Sequence, residues 1–173
     1  MTRYRASTNS ITPAIPYLFT YDAGGSQSFS GAYLTWDTVI VKTSHFNYTA
    51  DDDRVQLKSN SSGLFKVSFE SSLDGSGGEG RVQLYKNGSA VDGSISHVYA
   101  GSIGQTAYKN IIVMNYTIYL EKGDYIQIYA DSPAGNEPVT IANSCRLKIE
   151  YLPMKGWDNS SGGRIDYKGG VMR

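Results

Sequence analysis

Apolar and polar residues exchange places at every second position through most of the middle of this chain, and no other feature limits the fold so tightly. Phe65, Val67 and Phe69 alternate with Lys66, Ser68 and Glu70; Val82 and Leu84 with Arg81, Gln83 and Tyr85; Ile126 and Ile128 with Tyr125, Gln127 and Tyr129; Leu147 and Ile149 with Arg146, Lys148 and Glu150. A period of two is what a half-buried strand requires, because successive side chains point to opposite faces of a sheet. No segment shows a helical period. Between the strands lie turn signals: Asn87-Gly88 is a short-hairpin pair, and Glu121-Lys122-Gly123-Asp124 reads as a second hairpin turn joining Ile111 to Leu120 with Tyr125 to Ala130. Earlier in the chain Tyr33 to Lys42 reads as one strand and Arg54 to Lys58 as a short one, and Pro153 stops the last. Roughly eight short strands with turns between them predict an all-β, antiparallel two-sheet jelly-roll sandwich, since a parallel sheet would need crossover helices.

The ends read differently. Residues 1–33 are rich in Ser, Thr, Gly and Pro and are expected to form an N-terminal arm, whose anchors are Ile15, Tyr17, Leu18 and Phe19. Residues 153–173 repeat the pattern as a C-terminal arm with Trp157 as its one large apolar group, which leaves 34–152 as the jelly-roll domain.

At 173 residues the chain fits one domain with a sizeable core. Its lone cysteine, Cys145, has no partner for an internal disulfide and lies in an apolar-flanked run that reads as buried. Sixteen basic and sixteen acidic residues cancel, so no overall field draws the protein to nucleic acid or an anionic membrane. The polar start, residues 1–10, has no apolar segment of a signal peptide, and the longest apolar runs are too short to span a bilayer. Fourteen Tyr against five Phe means that the aromatic residues mostly carry a polar edge, which suits half-buried surfaces and interfaces.

The sequence carries no catalytic, cofactor-binding or metal-binding motif. Gly75-Ser76-Gly77-Gly78-Glu79-Gly80 matches a dinucleotide-loop spacing but is followed by a strand, where the phosphates would need a helix N-terminus. Asp51-Asp52-Asp53, and Asp74 with Glu79, lack the spacing of a calcium loop, and His45 and His97 stand without a second ligand at zinc spacing. Gly-x-Ser-x-Gly is absent, and no carboxylate pair has a glycosidase motif behind it. The expectation is a non-enzymatic protein without cofactor.

Three motifs, in order and each on a strand boundary, resemble the globular head of complement C1q and the related tumour necrosis factor-like domains over about residues 34–152: Gly63-Leu64-Phe65-Lys66-Val67-Ser68-Phe69, Val82-Gln83-Leu84-Tyr85-Lys86-Asn87-Gly88 and Leu120-Glu121-Lys122-Gly123-Asp124-Tyr125-Ile126. The resemblance implies a jelly roll of about ten strands assembled as a threefold homotrimer around aromatic residues on one sheet's outer face. Tyr125 and Tyr129, outward if Ile126 and Ile128 face the core, with Tyr119 and Tyr151 as neighbours, are the expected trimer interface. A cysteine-poor, Tyr/Ser/Gly/Asn-rich jelly roll with two arms also looks like the small virion proteins of tailed bacteriophages that decorate a capsid or build a head fibre. That resemblance implies a virion location after assembly in the host cytoplasm, with the major capsid protein or another virion protein as partner through the arms. The alternative is a receptor- or glycan-binding module of a viral fibre or bacterial surface.

Overall fold

The computed structural model describes residues 15–58, 62–75, 78–100, 102–103, 106–107 and 110–153. It contains strands and turns and, among these residues, no helix. One sheet runs in the order β12 (Asn110–Leu120), β6 (Gly63–Asp74), β15 (Cys145–Tyr151), β1 (Tyr17–Asp22), β3 (Thr38–Lys42), with β14 (Val139–Thr140) beside β6. The other runs β4 (Phe46–Asn47), β5 (Val55–Leu57), β13 (Tyr125–Asp131), β7 (Gly78–Lys86), β8 (Ser89–Ala90), with β2 (Ala32–Tyr33) beside β13 and β9 (Ser96–Ala100) beside β7. A small outlying pair joins β10 (Ser102–Ile103) to β11 (Thr106–Ala107). Every strand pair is antiparallel, and the two sheets face each other as the predicted sandwich.

The alternation read from the sequence becomes the core. Phe65, Val67, Phe69 and Leu73 of β6 meet Val82 and Leu84 of β7, Ile126 and Ile128 of β13, and Leu147 and Ile149 of β15, and all are buried. Each such side chain contributes about 1.5–3 kcal/mol of transfer free energy. Trp36 and Phe29, from irregular segments, are completely enclosed and fill the space between the sheets.

Three expectations need correcting. Tyr33 to Lys42 is not one strand: β2 lies on β13 and β3 on β1, and between them the chain crosses from one sheet to the other with Leu34 and Trp36 buried on the way. Glu121 to Asp124 is not a hairpin turn, because β12 pairs with β6 and β13 with β7, β5 and β2; the Gly123-Asp124 corner carries the chain between sheets. Residues 17–22, assigned by composition to an arm, are β1, hydrogen-bonded on both sides to β15 and β3. Leu18, Thr20 and Asp22 of that strand point inward and are buried. The Asn87-Gly88 turn does join β7 to β8, and both residues have positive φ, 52° and 77°, as a tight two-residue hairpin demands.

Candidate functional site: two sheet faces

Because Ile126, Ile128 and Ala130 point into the core, the pleat sends Tyr125, Gln127, Tyr129 and Asp131 outward from β13. Register then fixes the neighbours. Tyr129 lies opposite Tyr33 on one side and Gln83 on the other, and Gln127 lies opposite Tyr85. The rings of Tyr33, Tyr85 and Tyr129 form a mutual cluster: Tyr33 meets each of the others edge-on at 5.5 Å between centroids, and Tyr85 and Tyr129 are tilted at 5.3 Å. Such contacts add about 0.5–1.5 kcal/mol beyond area burial. Beneath them Gln127 is only 2% exposed although it faces outward, and its amide donates to Asp53 Oδ2 at 2.7 Å. The Arg54 guanidinium lies 5.0 Å from the centre of the Tyr125 ring. Desolvation, with Tyr85, Tyr125 and Asp53 adding to it, raises the pKa of the Tyr33 phenol above its ordinary value.

Several charges on this face and at its edge are paired. Arg81 forms a fork with Asp131 across β7 and β13, with Nε to Oδ1 at 2.6 Å, and His97 Nδ1 lies 2.6 Å from Glu79 Oε1. Lys86 Nζ lies 2.7 Å from Asp124 Oδ2, and Arg54 Nε 3.6 Å from Asp53 Oδ1.

The outer face of the β6 sheet has another character. Phe19, Lys148, Ser68 and Asn115 stand in one cross-strand row over β1, β15, β6 and β12, next to the row containing Arg146, Glu70 and Val113. Between the rows is a shallow hollow of about 230 Å³ lined by Phe19, Ser68, Glu70, Val113, Arg146 and Lys148 among others. Its polar groups are tied to each other: Ser68 Oγ donates to Asn115 Oδ1 at 2.8 Å and Arg146 to Glu70 Oε1 at 2.9 Å. Along β12 its margin is apolar and open to water at Val113, 48% exposed, and Ile111, 63%, and Tyr119, 40% exposed, lies farther along the same strand.

The four expected interface tyrosines therefore separate. Tyr125 and Tyr129 share the β13 face, joined by Tyr33 and Tyr85, which sequence reasoning missed. Tyr119 faces outward from the opposite sheet. Tyr151 faces inward with Leu147 and Ile149 and closes one end of the core, its ring 5.3 Å from Phe65. Of the expected arm anchors, Leu18 belongs to the protein's own core, Tyr17 and Phe19 lie half-buried on the outer face of β1, and Ile15 is 58% exposed just before it. Trp157 lies outside the described residues. Among the described residues no three His, Cys, Asp or Glu side chains converge on a common point. His45 Nδ1 lies 3.2 Å from Thr43 Oγ1, and among the described residues no helix is long and apolar enough to cross a membrane.

No protein-family profile matches the sequence, and no curated protein sequence matches it either. Solved structures do match in fold. Murine APRIL at pH 5.0 superposes with a TM-score of 0.60 at 11% identity, covering 80% of this chain and 100% of that one. The globular domain of zebrafish complement 1qA protein superposes with a TM-score of 0.57 at 10% identity, covering 81% of this chain and 99% of that one. At such identities the likeness is one of architecture: the chain has the jelly-roll sandwich of the C1q and tumour necrosis factor-like domains.

Proposed function

We propose that the protein is a non-enzymatic structural subunit that works as a homotrimer, attached through its terminal segments to a larger assembly, in our reading the capsid or head fibre of a tailed bacteriophage. The observation that carries self-association is the outer face of the β6 sheet. A monomer leaves Ile111, Val113 and Tyr119 in water along one strand while the polar groups beside them are already satisfied by each other. Exposed aliphatic side chains grouped beside a shallow hollow are characteristic of an interface. The tyrosines of the β13 face need no such partner, since they cover one another and stay half-buried. A head-to-tail contact that closes after three copies would cover the apolar margin three times over. It would also leave the β13 face turned to solvent.

The capsid setting is supported by the terminal segments. Residues 1–14 and 154–173 hold Arg3, Arg5, Lys155, Arg164, Lys168 and Arg173 against Asp158 and Asp166, a balance that favours an acidic docking surface. Size-exclusion chromatography with light scattering tests the trimer: the protein should run at three times 18.9 kDa. Joint substitution Ile111→Asp and Val113→Asp should give a folded monomer, whereas Tyr125→Asp with Tyr129→Asp should retain the trimer mass. A monomeric wild type would refute the proposal. A trimer broken by the tyrosine pair but not by the aliphatic pair would move the interface to the other sheet.

A further inference from the structure

We infer that the tyrosine cluster on the outer face of the β13 sheet is a binding site for an uncharged saccharide. Tyr33, Tyr85 and Tyr129 pack against one another over the buried Gln127, with Tyr125 farther along β13, and no aliphatic side chain points outward from β13 or from the stretch of β7 opposite it, where Arg81, Gln83 and Tyr85 alternate with the buried Val82 and Leu84. A protein partner would be expected to bury aliphatic as well as aromatic groups. A pyranose needs something different, a flat ring for its C–H face and hydrogen-bonding groups around it for its hydroxyls.

The tyrosines supply both. Their rings are held at 41° to 80° to one another, so ring faces and hydroxyl edges alternate within the cluster, and beside it Gln127 is fixed by its hydrogen bond to Asp53. Aromatic side chains held in this way lose little conformational freedom when a ligand arrives. Elsewhere in the molecule tyrosine hydroxyls serve the fold: Tyr48 donates to the Trp36 carbonyl and Tyr116 to the Asp92 carbonyl at 2.9 Å. The hydroxyls of Tyr33, Tyr85 and Tyr129 have no protein hydrogen-bond partner among the described residues. Gly31, at φ 86°, lies beside the Tyr129 hydroxyl, where a Cβ would stand 3.1 Å from it and crowd it.

Charge decides what kind of saccharide fits. Arg81 is paired with Asp131, His97 with Glu79, Lys86 with Asp124 and Arg54 with Asp53, so each of these four cations near the cluster already has a carboxylate partner and is a poor anchor for a sulfated or uronic sugar. The patch complements a ligand that is polar and neutral.

The inference stands independently of the trimer, because the two use opposite sheets. The test is titration of the full chain with cellohexaose, maltohexaose, chitohexaose and mannohexaose, followed by saturation-transfer NMR and calorimetry, with oligomer mass measured on every variant. At least one of the four should bind. Tyr85→Ala and Tyr129→Ala should weaken it tenfold or more, Tyr85→Phe, which keeps the ring and the fold, should weaken it several-fold, and Tyr99→Ala, an exposed tyrosine on β9 away from the cluster, should leave it unchanged. Absence of binding by all four sugars, or equal loss in Tyr99→Ala, would overturn the site. Loss of trimer mass in the Tyr85 or Tyr129 variants would assign the face to contacts between copies instead and overturn it as well.

Discussion

Cys145 shows how much a single side chain is governed by its surroundings. It points between the sheets from β15 and is fully enclosed, and burial pushes its thiol up to about 12, with the Asp22 carboxylate acting in the same direction. An aromatic disulfide reagent at mildly alkaline pH should therefore leave the native protein unlabelled and react with one thiol per chain in concentrated guanidinium; rapid native labelling would contradict the burial. Asp37 behaves in the opposite sense. The Ala23 N–H donates to it at 2.9 Å, Thr38 and Gly24 add further bonds, and its pKa is lowered. A carboxylate with a folded pKa below its unfolded value, about 4, adds stability that is complete above that value and is lost as pH falls through the folded pKa. Urea midpoints should drop on acidification below about pH 4, and Asp37→Asn should be less stable at neutral pH with a shallower acid dependence. Parity made the outward Tyr125 and Tyr129 legible in the sequence. The same parity, with Arg146, Lys148 and Glu150 outward, places Tyr151 inward, so its position too is legible in the alternation of β15. Tyr33 and Tyr85 were not legible as members of the tyrosine cluster, because only the pairing of β2 and β7 with β13 brings them to Tyr129.

Among the elements, long strands with strict alternation were readable and short or irregular ones were not. β6, β7, β13 and β15 follow the expected pattern because their two faces meet different solvents, core and water. β1 escaped because it buries Thr20 and Asp22 beside Leu18, so its inward face is partly polar; Thr20 Oγ1 donates to the Thr38 carbonyl at 2.7 Å and Asp22 accepts from Gln27. Which strands follow a hairpin and which cross between sheets was equally hidden, since a Gly-Asp corner has the same local chemistry in both cases. Two substitutions test these elements. Leu18→Ala should cost about 2–5 kcal/mol of unfolding free energy, as for a core leucine, whereas an arm residue would cost almost nothing. Gly88→Val forces a β-branched residue to φ 77° and should cost about 1–3 kcal/mol, read as a lower urea midpoint with an unchanged slope.

For the whole molecule, the ends of the sandwich dictate how attachment can be tested. Pro16 O accepts a hydrogen bond from Tyr151 N at 3.1 Å, and Tyr17 lies opposite Glu150, so both terminal segments enter the fold at the same end of the β6 sheet. A threefold assembly would bring three such pairs to one side of the particle. A single apolar anchor contributes only about 1.5–3 kcal/mol before ordering costs, too little for lasting attachment by one copy. Three tethered copies raise the effective concentration of each successive contact and can gain orders of magnitude in overall affinity. The electrostatic share from the basic residues should fall with salt, since exposed charges are screened within about 10 Å at 0.1 M ionic strength. A deletion must stop before β1: removing residues 1–14, 154–173 or both should leave the thermal midpoint and oligomer mass close to wild type, while a cut extending to residue 20 removes Leu18 from the core and should unfold the chain. If docking works through these segments, each short deletion should lower incorporation into particles and the double deletion should abolish it, with the saccharide affinity of the β13 face unchanged. Undiminished incorporation by the double deletion would place the attachment on the sandwich itself and remove the role proposed for the ends.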